Sequence, residues 1–404
     1  MSVGEVFEVF PEFGNILPNE MAYDFKAGGA IWGVLLVVYP LMTGILAGSY
    51  LVSALAYGFG VKRLYRVAGL SLIISVGLLI SAPIFPMVDL KQPQRAFEIF
   101  LRPHVIPSDA YPGVSPMAFF GILYIPLLVV ALLNLIFVYR ADMAAKAEAT
   151  GNIIYRILSL GRGYSREDVE RDRRVVKILS IIGVILAILF HGYFDILLAS
   201  IKSRILWVDP SLPIRLLASA VFSGAALVTV AYYIAARFSP GESIDAGTMK
   251  TLSLIMLFGL AAALVTEITS EILRVGYYLL PGEGIEYYES LRGSMFIDNA
   301  YYILALILLV SLLIPKVREN IHSVAAIAAL AVVTEILNKW LVVIVPQLLS
   351  RTEAGFLEYA IEGWEIRLLV GGLAWTVFVF TILLWIFPWN GKFASRWDIA
   401  GEGR

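Results

Sequence analysis

Long apolar runs separated by short polar segments divide most of the chain. Nine of these runs are long enough to span a membrane, because a hydrocarbon core ~30 Å thick requires a helix of about 20 apolar residues. Their approximate bounds are 29–57, 65–88, 116–139, 177–200, 213–236, 250–281, 296–314, 322–349 and 366–388. Since helices satisfy every backbone amide inside lipid, the pattern predicts an all-α polytopic membrane protein with about nine transmembrane helices.

Ionisable side chains interrupt three of these runs, although a charge near the centre of a membrane helix costs ~2.5–3.5 kcal/mol. They form pairs four residues apart, so the members of each pair share a helix face. The pairs are His191 with Asp195, Glu267 with Glu271, and Glu335 with Lys339. Intramembrane charges of this kind mark a candidate functional site. A purely structural role, in which Glu335 neutralises Lys339 and Glu271 neutralises Arg274, is the alternative.

Lys and Arg are concentrated in alternate loops, chiefly 58–64, 140–176 and the C-terminal tail. The positive-inside rule therefore predicts a cell-membrane protein with its N-terminus outside and its C-terminus in the cytoplasm. In this orientation the buried ionisable groups all lie between the membrane midplane and the outer face. Residues 1–28 are predicted to form an outer segment with a short interfacial helix.

The composition excludes several cofactors and partners. The chain has Cys 0 and His 3, and only His191 lies deep in an apolar run. Iron–sulfur ligation by cysteine and a two-haem site with four histidines are therefore excluded. We expect this chain to bind no haem, iron–sulfur cluster or metal. A formal net charge of −1 argues against nucleic acid as a partner.

Four segments resemble, in the right order, a known family of membrane subunits. They are WGVLLVVYPLMTGILAGSYLVSALAYGFG (32–60), DLKQPQRAFEIFLRP (89–103), SPMAFFGILY (115–124), and a stretch through Gly192, Tyr193, Arg204, Trp207 and Pro213. The family is NrfD, the membrane subunits of polysulfide reductase and related quinone-linked enzymes. The resemblance is good over about 29–235 and is limited to hydropathy in the remainder.

The resemblance implies two four-helix bundles, at 29–200 and 201–365, followed by an extra helix and a cytoplasmic tail at 366–404. It also implies a quinone, with menaquinone expected, near the outer face of the first bundle. The partners it implies are an iron–sulfur subunit and a molybdopterin catalytic subunit on that face. Membrane lipid surrounds the chain.

Quinone chemistry assigns roles to the candidate residues, because a ring oxygen that gains or loses a proton needs titratable neighbours. We expect His191 and Asp195 to exchange protons with the ring, Tyr193 to bond or pack against it, and Trp32 to line the pocket. The expected proton-transfer residues are Asp195, Glu267, Glu271, Glu335 and Lys339.

The predicted function is that of a quinone-reactive subunit, not catalytic alone, which exchanges electrons between the membrane quinone pool and the iron–sulfur partner. The outer loop 89–115 is the expected docking surface, through Asp89, Pro93, Arg95 and Arg102. A passive membrane anchor is one alternative. A secondary transporter is another, but it predicts an inverted repeat with paired broken helices, and we find none in the sequence.

Overall fold

The computed structural model describes residues 32–89, 93–107, 115–201, 204–239, 243–273, 296–348 and 359–387. Within these ranges it contains no strand, and nine helices are long and apolar enough to cross a membrane. They are α1 (Val34–Tyr57), α2 (Tyr65–Ser81), α3 (Pro116–Thr150), α4 (Arg166–Ala199), α5 (Leu212–Phe238), α6 (Ala246–Leu273), α7 (Phe296–Leu313), α8 (Ile321–Val343) and α9 (Gly363–Ile386). The predicted all-α polytopic fold is confirmed. The predicted outer segment 1–28, Arg274 and most of the predicted tail lie outside the described residues.

Two helices are longer than their apolar runs, which corrects the predicted loop at 140–176. A left-handed Gly151 ends α3, and a capping box between Ser165 and Asp168 starts α4. Only a short connection with one helical turn at Ile153–Leu158 joins them. The Arg140 guanidinium, which the apolar pattern assigned to a loop, is fully buried in α3 and lies 2.7 Å from a carboxylate oxygen of Asp172.

This ion pair does not place charge inside the hydrocarbon core. Arg140 lies 24 residues after Pro116, or about 36 Å along α3 at 1.5 Å per residue. That distance exceeds the ~30 Å thickness of the core. The pair therefore stabilises the α3–α4 connection at the membrane boundary.

The first helix is the centre of the molecule, and the last is at its edge. In α1, 78% of the most apolar stretch is buried, against 22% in α9. The backbones of α1 and α5 meet at Gly48 and Gly224, where a side chain on Gly48 would collide with the carbonyl oxygen of Ala220. Small residues allow this close approach of two membrane helices.

The remaining helices pack around this central contact. The α1 helix also contacts α2, α4, α8 and α9, while α5 contacts α4, α6 and α8. The α9 helix packs on α2 and on the short helix Ile84–Asp89 that follows it, with Phe380 against Gly77 and Gly372 against Phe85. We call the membrane side at which α1 begins the N-terminal face. Successive helices alternate in direction, so α4, α6 and α8 end at this face and α5, α7 and α9 begin there.

Candidate functional site

Polar side chains from six helices, all buried except the half-buried Tyr302, lie in three groups near the N-terminal face. The inner cluster contains Thr43, His191 and Asp195. The middle cluster contains Ser219, Glu335, Asn338 and Lys339, and the cleft cluster contains Arg215, Glu267, Tyr301 and Tyr302.

The inner cluster joins α1 to α4. The Thr43 hydroxyl lies 3.1 Å from Nδ1 of His191, and Nε2 of the imidazole lies 3.9 Å from a carboxylate oxygen of Asp195. Both ionisable side chains are fully buried. Among the described residues, Nε2 of His191 and both carboxylate oxygens of Asp195 make no hydrogen bond. Buried polar atoms normally have partners. These three atoms are therefore available to hydrogen-bond a water molecule or to accept a transferred proton.

The middle cluster joins α5 to α8 through one hydroxyl. Ser219 donates to Glu335 at 2.5 Å and accepts from the Lys339 ammonium at 2.9 Å. Asn338 donates to both Ser219 and Glu335. The Lys339 Nζ atom lies 3.7 Å from the nearest oxygen of Glu335. A buried carboxylate and a buried ammonium thus compensate each other.

The cleft cluster centres on the carboxylate of Glu267. One oxygen accepts from Arg215 at 3.1 Å and from the Tyr302 hydroxyl at 2.9 Å, and the other accepts from Tyr301 at 3.0 Å. Nε of Arg215 makes no hydrogen bond among the described residues. Glu267 of α6 is thus paired with a cation, Arg215, that comes from a different helix, α5.

The three clusters are adjacent in space and electrostatically connected. Lys339 interacts electrostatically with both His191 and Asp195 of the inner cluster. Glu335 interacts in the same way with Glu267 of the cleft cluster. Within the described residues these electrostatic interactions extend from a fully buried imidazole to a carboxylate close to the end of α6.

Helix positions give the depth of each cluster below the N-terminal face. His191 precedes Ala199, the end of α4, by eight residues, which is about 12 Å at 1.5 Å per residue. Glu267 precedes Leu273, the end of α6, by six residues, or about 9 Å. The ionisable groups therefore all lie in the half of the bundle nearer the N-terminal face.

A cleft with a cavity volume of about 60 Å³ meets the outermost cluster. Its polar lining includes Arg215, Glu267, Glu271, Asp298 and Tyr302, besides Asn338. The apolar lining consists of Leu206, Trp207, Leu212, Leu341, Val342, Val345 and Pro346. An apolar concavity with a few convergent polar groups is the usual form of a small-molecule site.

The loop before α5 is held to the end of α6 by Asp209. Its buried carboxylate accepts hydrogen bonds from Ser211 and Ser270. Burial alone would raise the pKa of Asp209, but these hydrogen bonds and the nearby Arg215 outweigh burial and lower the pKa below its usual value. The carboxylate is therefore held in its charged form beside Arg215.

Two sequence-predicted residues lie apart from these clusters. Tyr193 is half-buried and its ring packs against Phe119, 5.8 Å away. Trp32 stacks on Trp207 with the ring centroids 5.3 Å apart. Its backbone N–H donates to the Gln347 side-chain amide, and its backbone carbonyl accepts from that same amide. Trp32 therefore supports a cleft residue without lining the cleft itself.

The other predicted residues are divided between the site and the surface. Glu335 and Lys339 lie in the middle cluster, and Glu267 and Glu271 line the cleft. Of the expected docking residues, Asp89 is buried, whereas Pro93, Arg95 and Arg102 are exposed. Arg102 pairs with Glu98 at 3.4 Å. Of the four expected docking residues, only these three are thus accessible at the surface of the described structure.

Sequence reasoning missed Arg215 and the two phenols of α7. Arg215 lies three residues after the start of α5, where it is easily taken for a loop residue. Its one sequence signal is a spacing of four from Ser219, which is the spacing of the recognised pairs. Tyr301 and Tyr302 gave no signal, because tyrosine near a helix end is also typical of a membrane interface.

The fold and the site define a polytopic membrane protein with a buried chain of titratable groups that reaches a cleft at one face. The family described as "Polysulphide reductase, NrfD" matches residues 23–350, and the chain belongs to this family. The relatives that it matches are named as subunits of reductases.

Three relatives illustrate the range of the family. Over 375 residues the chain is 27% identical to a tetrathionate reductase subunit of Archaeoglobus fulgidus, and the match spans 92% of this chain and 96% of that protein. It is 29% identical over 235 residues to a selenate reductase subunit of Mesobacillus selenatarsenatis, a match that spans 55% of this chain and 53% of that protein. A putative dimethyl sulfoxide reductase membrane subunit of Halobacterium salinarum is 25% identical over 244 residues, or 59% of this chain and 51% of that protein. The chain thus matches about half the length of the last two.

Proposed function

We propose that this protein is the quinone-reactive membrane subunit of a multi-subunit oxidoreductase. It exchanges electrons between the membrane quinone pool and a partner iron–sulfur subunit at the N-terminal face, which we take as the outer face. A catalytic subunit beyond that partner reduces or oxidises the terminal substrate. The observation that carries the proposal is the run of buried ionisable groups from His191 to Glu267, which ends at a cleft.

Quinol oxidation releases two electrons and two protons, and quinone reduction takes up both. The proton-accepting groups must lie near the ring and lead to water. Glu267 is one of the carboxylates that line the cleft, and Asp195 with His191 forms the buried end of the run. These residues hold and pass protons, and the electrons leave through the partner subunit.

The position of the charged groups also bears on energy conservation. The ionisable groups of the clusters lie in the half of the bundle near the N-terminal face. If protons and electrons both leave at that face, the half-reaction moves no net charge across the membrane.

Replacement of Asp195 by Asn in the whole purified complex tests the proposal. Oxidation of a soluble quinol analogue, coupled to an artificial electron acceptor, should fall by about 100-fold, the usual contribution of a general base. The complex should still assemble, because Asn is nearly isosteric. Glu319→Gln is the matched control, since Glu319 is exposed at the opposite face and pairs only with Lys250 in the described structure. Its turnover should be normal.

The same assay separates the alternative functions. A passive anchor predicts equal quinol turnover for Asp195→Asn and wild type, or no quinol-dependent turnover at all. Either result would overturn the proposal.

A further inference from the structure

The surface of α4 carries an apolar stripe that ends in two exposed cations. Residues three or four positions apart share a helix face, and four exposed apolar side chains follow this spacing. They are Ile178, Ile182, Ile185 and Leu189. Because this part of α4 is a membrane span, its exposed apolar side chains contact lipid. The next exposed residues towards the start of the helix are Lys177 and Arg174, so both cations lie at the end of a lipid-facing stripe.

Helix positions place these cations at the membrane boundary opposite the N-terminal face. Lys177 precedes Ala199 by 22 residues and Arg174 precedes it by 25, or about 33 and 38 Å along α4 at 1.5 Å per residue. The hydrocarbon core is ~30 Å thick, and each headgroup layer adds about 5–8 Å. Both side chains therefore lie at the depth of lipid headgroups.

Neither cation forms an ion pair with another residue in the described ranges of the chain. Glu170, the carboxylate one turn from Arg174, lies 3.7 Å from Arg166 instead. Arg171 is also paired, at 3.7 Å from Asp168. The paired arginines precede Ala199 by 28 and 33 residues, which is about 42 and 50 Å along α4. Uncompensated positive charge is thus found at headgroup depth, and compensated charge lies further out.

The connection between α3 and α4 adds a third cation at the same depth. The carbonyl of Gly163 accepts from Arg140 at 2.9 Å, and Arg140 lies about 36 Å along α3. The neighbouring residue, Arg162, is exposed and therefore lies near this level. Arg162 interacts with Asp172, but that carboxylate is already paired with Arg140 at 2.7 Å.

We infer that Arg174 and Lys177 bind the phosphate of an anionic phospholipid whose acyl chain lies along Ile178, Ile182 and Ile185. A guanidinium and an ammonium recognise a phosphate through charge-assisted hydrogen bonds, and the stripe supplies the apolar contact for the chain. Arg162 adds positive charge beside the headgroup layer. This inference goes beyond the proposed function and does not depend on it, because the site lies at the face opposite the partner subunit.

The charge of the site favours an anionic lipid over a zwitterionic one. A phosphatidylcholine headgroup brings its own cation, whereas phosphatidylglycerol carries a net negative charge. Each Lys or Arg near an anionic membrane surface strengthens binding about fivefold, so two such residues together contribute about 25-fold. Since both side chains are exposed, added salt should weaken this preference.

Photolabelling of the whole purified complex tests the site. The probe is phosphatidylglycerol with a diazirine in its acyl chain, added to delipidated complex in a neutral detergent, and the adducts are mapped by mass spectrometry. We expect adducts within residues 178–189 that unlabelled phosphatidylglycerol displaces and phosphatidylcholine displaces far less. Equal competition by the two lipids would overturn the recognition of charge. Competition by inorganic phosphate would show that a free anion occupies the site and would overturn the lipid assignment.

Paired substitutions test the two cations directly. Arg174→Gln with Lys177→Gln should lower the yield of these adducts about 25-fold at low salt. Arg174→Lys with Lys177→Arg keeps both charges and should retain the labelling. The matched control is Arg171→Gln with Lys250→Gln, which removes the same charge from cations that are paired with Asp168 and Glu319.

The control variant should label like wild type, and the unfolding temperatures show that each variant is assembled. An unchanged adduct yield in the variant at positions 174 and 177 would overturn the inference. Equal losses in that variant and in the control would do the same, because net charge alone would then explain the labelling.

Discussion

The contact between Lys339 and Glu335 allows a direct measurement of how the middle cluster is stabilised. The side chains are 0% and 2% exposed, and their charged atoms lie 3.7 Å apart. At an effective dielectric constant of about 20, two unit charges at this distance attract by about 4 kcal/mol. Removal of one partner leaves the other buried without its counter-charge, at a cost of about 3–5 kcal/mol.

We therefore expect Lys339→Met and Glu335→Gln each to destabilise the protein by about 3 kcal/mol or more. The double variant removes one positive and one negative charge, so the net charge of the clusters is unchanged. It should be destabilised by much less than the sum of the single variants. Its quinol turnover should nevertheless be low, because the link between Asp195 and Glu267 is lost.

Thermal unfolding of the purified complex, followed by tryptophan fluorescence, gives the coupling energy through a double-mutant cycle. The matched control is the exposed pair Lys250 and Glu319, whose side chains are 43% and 60% exposed at 3.2 Å. Exposed pairs contribute at most about 1 kcal/mol. A coupling energy for the buried pair no larger than that of the control would refute the buried ion pair.

Two other variants test the contacts that hold the helices together around the clusters. Asp209→Asn should make the free energy of unfolding less dependent on pH. The folded state lowers the pKa of Asp209, so the ionised carboxylate stabilises the fold at pH values above the unfolded pKa. This stabilisation is lost as the pH falls through the folded pKa. Unfolding temperatures from about pH 6 to about pH 3 measure this, and equal pH profiles would contradict it. Gly48→Leu should prevent assembly, since the new side chain meets the backbone of α5, whereas Gly371→Leu enters open space. Equal yields of the two folded variants, measured by size-exclusion chromatography, would contradict the close helix contact.

The nine spans and the paired ionisable residues were predictable because both depend on local pattern. An apolar run of about 20 residues and a spacing of four are properties of one helix. The structure adds the contacts between side chains of different helices. Glu267 had no partner within its own helix, and its cation, Arg215, comes from α5.

Tyr193 lies on a different face of α4 from His191 and Asp195, with which the resemblance grouped it. His191 and Asp195 share a face at a spacing of four, and a residue two positions from each points to nearly the opposite side of the helix. The structure accordingly packs Tyr193 on Phe119 while both neighbours face the interior. The contact of Tyr193 with a quinone ring stays a prediction.

The lengths of α3 and α4 could not be predicted from hydropathy, because both helices continue beyond the membrane on polar residues. Their ends are fixed by local geometry instead, a left-handed Gly151 and a capping box at Ser165. Residues between Arg140 and Asp172 then fold back so that the two charges meet at the end of the bundle.

The contact of α1 with α5 explains why ionisable residues from distant parts of the chain form one run. Thr43, which contacts His191, lies five residues before Gly48 on α1, and Ser219, which contacts Lys339, lies five residues before Gly224 on α5. The two glycines let α1 and α5 touch. Thr43 with its partner on α4, and Ser219 with its partner on α8, are therefore brought close together. A larger residue at Gly48 or Gly224 would move α1 away from α5. It would therefore separate the inner cluster from the middle cluster, while the hydrogen bonds within each cluster could remain. The site therefore lies across the contact between α1 and α5, which is why charge pairs within single helices indicated its members but not the contacts between them.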